Sequence, residues 1–143
     1  MSGHGAATGS HCYEEVEHTA DLALRIRGRT VPELFANAAY AMFDRMANLE
    51  RVPLTATRRL RVSGLDLEGL LVSWLNELLF LQETRHEIYR EFTIHSFTMT
   101  SLQASVSGGP AQDQHTIIKG ATFHNLAIEP TAEGYVTTVV FDV

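Results

Sequence analysis

Residues 22–46 read LALRIRG, then RT, then VPELFANAAYAMFDRM, and a change of hydrophobic period at Gly28 divides them into a strand and a helix. In the first part Leu22, Leu24 and Ile26 alternate with Ala23, Arg25 and Arg27, the period of two of a half-buried strand. Gly28 ends it. Thr30-Val31-Pro32-Glu33 then make a capping box with proline in the first turn, where a hydroxyl and a carboxylate satisfy amides that the helix itself leaves unpaired. Behind the box Val31, Leu34, Phe35, Ala38, Ala39, Met42, Phe43 and Met46 recur at i, i+3, i+4 and i+7, which predicts an amphipathic helix to about Asn48.

Upstream, residues 11–17 (HCYEEVE) read as a short strand joined to the next through His18-Thr19-Ala20-Asp21. Downstream, a loop with Pro53 leads to a strand at 57–63 in which Leu60 and Val62 face one way. Ser63-Gly64-Leu65-Asp66 is a second helix start. Leu67, Leu70, Leu71, Trp74, Leu75, Leu78 and Leu79 form its stripe to about Gln82, and Phe80 and Leu81 widen it, so that helix end is expected to be buried on more than one side. The remainder is strand-like over 87–99, 102–107, 115–123, 126–129 and 135–142, with turn residues at Gly108-Gly109-Pro110 and Pro130-Thr131-Ala132-Glu133-Gly134. Short strands with tight turns pair antiparallel. The expected fold is therefore α+β: a flexible tail over 1–10, then one compact domain over 11–143 with two amphipathic helices on a mainly antiparallel sheet.

Composition narrows the function. The 143 residues suffice for one self-supporting core, and 45% hydrophobic with 20% charged residues excludes a disordered chain. Seventeen acids against eleven bases leave a net charge of -6. Gripping nucleic acid over a broad face is mainly cationic, so DNA is not an expected partner and tRNA or RNA is expected only indirectly. The lone Cys12 excludes an intrachain disulfide and a thiolate metal cluster. No run of 18 apolar residues exists to span a membrane, and the N-terminal residues lack the basic and apolar regions of a signal peptide. A cytoplasmic location is the expectation. The basic residues are ten arginines and a single lysine, Lys119.

No phosphate-binding glycine loop, nucleophile elbow or HExxH helix is present. His11 and Cys12 are strand neighbours that point to opposite faces, and Glu77 and Glu83 read as solvated helix residues. Three features remain. Asp21, at the joint between two strands, can bond backbone amides in an Asx-type turn or bind a hard cation. At the other end, a strand-forming run ends in Phe141-Asp142-Val143, which sets a side-chain carboxylate beside a terminal carboxylate; two such anions repel unless a cation or a base stands between them. A frayed, solvated end is the alternative there. The third is Ile118-Lys119-Gly120-Ala121-Thr122-Phe123-His124, where an offset of five puts Lys119 and His124 on opposite strand faces unless Gly120 supplies a bulge. Arg58, Arg59 and Arg61 add a local basic cluster that also reads as an exposed strand face.

HTADLALRIRG, VPELFANAAYAMFDRM, LEGLLVSWLNELLFL, IKGATFHNLAI and the final VVFDV, in that order across residues 13–143, resemble the archease family. The resemblance implies a small α+β protein that is not itself an enzyme. It implies a chaperone-like activator of the RtcB-type RNA ligase, which joins RNA ends in tRNA splicing and repair through a histidine–guanylate formed from GTP. Archeases are thought to promote guanylylation and multiple turnover of that ligase. The family's divalent-metal site, usually described with calcium, falls on Asp21, Asp142 and the backbone oxygen of Val143, with Mg²⁺ or Mn²⁺ as alternatives. The family's lysine falls on Lys119, and His18 and His124 are further functional candidates. Gly120 stands where the family usually has Ala, and Phe123 where Tyr or Trp is common. Three other readings stay open: a small metal-dependent enzyme with His18 or His124 as general base, a modulator of tRNA methyltransferase, and a binding module whose metal is structural. Two aspartates plus a terminal carboxylate require a cation, and Lys119 nearby is expected to supply a partner charge.

Overall fold

The computed structural model describes residues 12–16, 21–112 and 114–143. The expected tail over 1–10, and His11, Glu17, His18, Thr19 and Ala20, lie outside them. In chain order the elements are β1 (Tyr13–Val16), β2 (Leu22–Gly28), α1 (Val31–Met46), β3 (Ala56–Ser63), α2 (Leu67–Arg85), β4 (Glu87–Phe97), β5 (Ser101–Pro110), β6 (Gly120–Ala121), β7 (Glu129–Thr131) and β8 (Gly134–Asp142). The strands form two antiparallel sheets. The larger runs β1-β2-β8-β6, with β7 also on β8, and the smaller runs β3-β5-β4.

Helix α1 lies between the sheets, against β2 and β8 of one and β4 of the other. Its burial goes beyond the predicted stripe to Ala36, Asn37 and Ala41, because a helix covered on two sides needs small residues where a second sheet approaches. Thr30 Oγ1 accepts from the Glu33 amide at 3.1 Å, as the capping box predicts. The returning bond differs: Glu33 accepts from the amide of Arg29, at 2.8 Å, and from its guanidinium. Burial works to raise the Glu33 pKa, and the Arg29 bonds outweigh it to hold the carboxyl below its ordinary value. Helix α2 is capped by Asp66, which accepts from the Gly69 amide at 2.7 Å. Trp74 is fully buried and donates its indole N–H to the Phe35 carbonyl at 2.9 Å, tying the helices together. Phe43 stacks on Phe92 and meets Tyr89 edge-on, which anchors α1 to the smaller sheet.

Four expectations are corrected. Phe80 is 61% exposed, so the end of α2 is not buried on a second side. Gly108-Gly109-Pro110 lies inside β5 instead of marking a turn. A Cβ on Gly108 would stand 1.9 Å from the Ile88 carbonyl oxygen, so the glycine serves a close strand approach. The strand expected over 115–123 shrinks to Gly120–Ala121. The His115 amide instead donates to the Met46 carbonyl at the end of α1, 2.9 Å away, so this stretch is a strap. The strand expected over 126–129 becomes β7 at Glu129–Thr131, because the Ile128 amide is taken by Glu68 of α2. No helix of the described residues is long and apolar enough to cross a membrane.

Candidate functional site

Strand β8 is flanked by β2 on one side and by β6 on the other, and all three reach one sheet end together. Phe141 pairs with Leu22 of β2 and with Ala121 of β6, and these three side chains are buried. One step further, Asp142 pairs with Gly120. On the β2 side the same step is Asp21, so the register carries the two aspartates, 121 positions apart in sequence, opposite each other. The Lys119 amide donates to the Asp142 carbonyl at 2.7 Å, which extends the pairing to the last residues. Asp21, Lys119, Asp142 and Val143 are therefore neighbours at one exposed corner.

Strand alternation decides where each side chain goes. Leu22, Phe141 and Ala121 face the helices, so Asp21 and Asp142 fall on the opposite face. Lys119, one residue before β6, is exposed and borders a cleft of about 730 Å³ with Asn76, Phe80 and Ile117 of α2 and the strap. Its ammonium makes no ion pair among the described residues. Lys119 thus joins the corner through its backbone and also borders the adjoining cleft.

Two side chains fix β6 against its surroundings, and a third holds the loop that follows it. Asn76 of α2 accepts from the Ala121 amide at 2.8 Å and donates to the Ala121 carbonyl at 3.3 Å, acting as a substitute strand partner. Thr122 follows with both its amide and its hydroxyl on the Val140 carbonyl, at 3.0 and 2.9 Å. Buried Thr137 donates to the Ala127 carbonyl at 2.9 Å. Sequence reading passes over Asn76; its one signal is an amide set beside the apolar stripe of α2.

Of the other candidates, His124 sits in the turn after β6, its amide on Thr122 Oγ1 and its ring against the Asn125 amide. The question of a bulge at Gly120 does not arise, since the strand ends before His124. His18 lies outside the described residues. The basic cluster divides: Arg58 turns inward onto Glu87 with bonds of 3.0 and 2.7 Å, while Arg59 and Arg61 stay exposed. The Arg58 bonds, against the opposing effect of burial, hold Glu87 below its ordinary pKa, and Tyr89 Oη donates to the same carboxylate at 2.8 Å.

Among the described residues no three His, Cys, Asp or Glu side chains gather closely enough to hold a metal ion. The corner offers two carboxylates and the main-chain oxygen of Val143, all hard oxygen donors at an open position. That donor set fits a hard divalent cation that keeps water or takes further ligands from a partner. It does not fit a soft-metal site.

Residues 13–143 match the Archease protein family (MTH1598/TM1083). The protein named archease from Methanosarcina mazei is 37% identical over 139 residues, covering 92% of this chain and 95% of that protein. Its counterpart from Methanosarcina barkeri is 33% identical with the same coverage. The solution structure of Methanobacterium thermoautotrophicum protein 1598 superposes with a TM-score of 0.77 at 26% identity, covering 94% of this chain and all of that one. The crystal structure of an archease from Thermotoga maritima, described as a possible chaperone, gives 0.68 at 23% identity over 94% of this chain and 100% of that one, a likeness of fold.

Proposed function

This chain belongs to the archease family, and from that membership and the acidic corner we propose that it is a non-catalytic activator of an RtcB-type RNA ligase, promoting guanylylation and multiple turnover. The observation that supports this reading is the register that sets Asp21 against Asp142 at an exposed sheet end. Two carboxylates at an exposed sheet end are suited to present a cation to a partner, not to bury one. Asp21, Asp142 and the Val143 main-chain oxygen would hold a divalent ion, Ca²⁺ by preference and Mg²⁺ or Mn²⁺ as alternatives. Such an ion supplies charge stabilisation for phosphoryl groups. The chain's own part is to position: β8 holds Asp142, β2 holds Asp21, and Asn76 keeps β6 in place beneath Lys119. Lys119 lies beside the corner, where a partner's surface would meet its ammonium. An activator that works by binding another protein is chaperone-like, the role named for the Thermotoga maritima protein.

A metal-dependent enzyme would need a base in the corner, and His124, the described candidate, is engaged with Asn125 in the turn beyond it. The test is single-turnover guanylylation of a cognate RtcB-type ligase with and without this protein. The wild type is expected to accelerate the step, while Asp21→Ala and Asp142→Ala keep the fold and lose the stimulation. Full stimulation by both variants would overturn the proposal.

A further inference from the structure

The outer face of the smaller sheet carries a second surface. Along β3 the exposed residues are Thr57, Arg59, Arg61 and Ser63, alternating with the more buried Leu60 and Val62. Their register partners on β5 are Ser107, Ser105, Gln103 and Ser101, so two adjacent strands present only arginine, hydroxyl and amide groups outward. Thr57 and Ser107 share a hydrogen bond of 3.0 Å, and Ser105 bonds the ring of His95 on β4 at 2.7 Å. The acid on this face, Glu91, stands at the far strand, opposite Ser107.

Arg59 and Arg61 also differ from the five arginines that hold ion pairs. Arg25 and Arg27 meet Glu14, Arg29 meets Glu33, Arg45 meets Glu15 and Arg58 meets Glu87. Arg59 and Arg61 have no ion-pair or hydrogen-bond partner among the described residues, and with Gln103 they border a shallow cleft of about 290 Å³. In a chain of net charge -6, two uncompensated neighbouring guanidiniums are a local exception. Two residues along an antiparallel strand span about 6.8 Å, close to the repeat of successive phosphates in one extended polynucleotide strand. Arginine donates in a fork that suits phosphate oxygens, and Ser and Gln supply the neutral donors typical of backbone contacts.

We propose that the Arg59–Arg61 face of β3 and β5 binds the phosphate backbone of a single nucleic-acid strand, through two phosphates and without reading sequence. No Phe, Tyr or Trp side chain lies on this face for bases to stack on, so binding is weak and indifferent to base identity. The expectation from net charge, that RNA is met only indirectly, then holds for the molecule as a whole and fails at this track. The face belongs to the smaller sheet and the acidic corner to the larger, with α1 between them. A strand held here leaves the corner open to a protein partner, and the inference stands independently of the ligase reading.

The test is a ¹H–¹⁵N titration of the full chain with an oligouridylate, with the deoxy strand of equal length and with polyglutamate at matched charge. Amide shifts are expected within residues 57–63 and 101–107, equal for the ribo and deoxy strands and absent with polyglutamate. Two contacted phosphates give a slope of about -1.4 for log affinity against log salt, or about sevenfold between roughly 50 and 200 mM. Arg59→Ala combined with Arg61→Ala should abolish the shifts at an unchanged thermal midpoint, whereas Arg59→Lys with Arg61→Lys should retain the salt slope. Absent shifts at low salt, shifts centred elsewhere, shifts that survive the double alanine variant, or equal shifts with polyglutamate would each overturn the inference; the last would mark an acidic protein surface as the partner.

Discussion

Asp142→Asn separates two opposed effects of one carboxylate. Without a divalent ion, Asp142 and Asp21 each lie one residue beyond the Leu22–Phe141 pair, and like charges opposed across strands oppose folding by about 0.2–1 kcal/mol. Both side chains are exposed, so salt and solvent draw that figure toward its lower end. Asparagine keeps the shape, and the backbone carbonyl that accepts from Lys119 is untouched. In EDTA the variant should therefore match the wild type or exceed it by up to about 0.5 kcal/mol, a rise of no more than about 2 °C in midpoint.

Calcium should reverse the order. Two carboxylates and a main-chain oxygen are few ligands, which suggests a dissociation constant of about 0.1 mM at best. At about 10 mM Ca²⁺ such a site stabilises the folded chain by about 2.7 kcal/mol, a shift of roughly 10 °C. A variant binding tenfold more weakly would gain at most about 1.4 kcal/mol under the same conditions. Thermal unfolding followed by circular dichroism, in EDTA and in calcium, reads both quantities on one sample. Asp21→Asn should lose the calcium response in the same way. The reasoning is refuted if calcium raises Asp142→Asn as far as the wild type, if it leaves the wild type unmoved, or if the variant falls by several degrees in EDTA.

Asn76→Ala should release both backbone groups of Ala121 and cost about 1–2 kcal/mol; hydrogen exchange at Ala121 should quicken and the calcium shift should shrink with both aspartates intact. An unchanged calcium shift would show that β6 does not position the corner. The Glu87 pKa lies below its ordinary value in the folded chain, chiefly through the Arg58 bonds, so its stabilisation is complete above the unfolded pKa of about 4.3 and is lost as pH falls through the folded value. Acid titrations of unfolding should accordingly show the wild type converging on Glu87→Gln below about pH 4, and parallel curves would contradict the assignment. Gly108→Ala would bring a Cβ to 1.9 Å from the Ile88 carbonyl, separating β4 from β5 at a cost of about 3 kcal/mol or more; a midpoint within a degree of wild type in denaturant unfolding would rule this out.

Both helices were legible in the sequence because each carries its own start signal and a long stripe, which are local properties. Thr30 caps where its motif places it, and Asp66 caps at the end of the second start signal. The strap over 114–119 was not, because its amides are satisfied by groups far away in the chain: the Met46 carbonyl for His115 and the Asp142 carbonyl for Lys119. An apolar run such as Ile117-Ile118 reads the same whether a strand or a helix end receives its hydrogen bonds. Gly108 and Gly109 misled for a related reason, since glycine permits a turn and a close approach equally, and only the position of Ile88 and Pro53 tells which.

The corner shows the same limit from the other side. Sequence alone offers Asp21 and Asp142 as separate strand-end acids, each with an ordinary alternative, and the family resemblance joins them by analogy. What joins them physically is a register fixed elsewhere, by Leu24, Ile26, Val139 and Phe141, each fully buried. A slip of one residue between β2 and β8 would turn every one of those side chains out of the core. The core therefore guarantees the opposition of the aspartates without any direct bond between them. That arrangement lets an exposed pair of like charges persist in a stable fold, since the energy that sets the strands in register comes from the sheet interior.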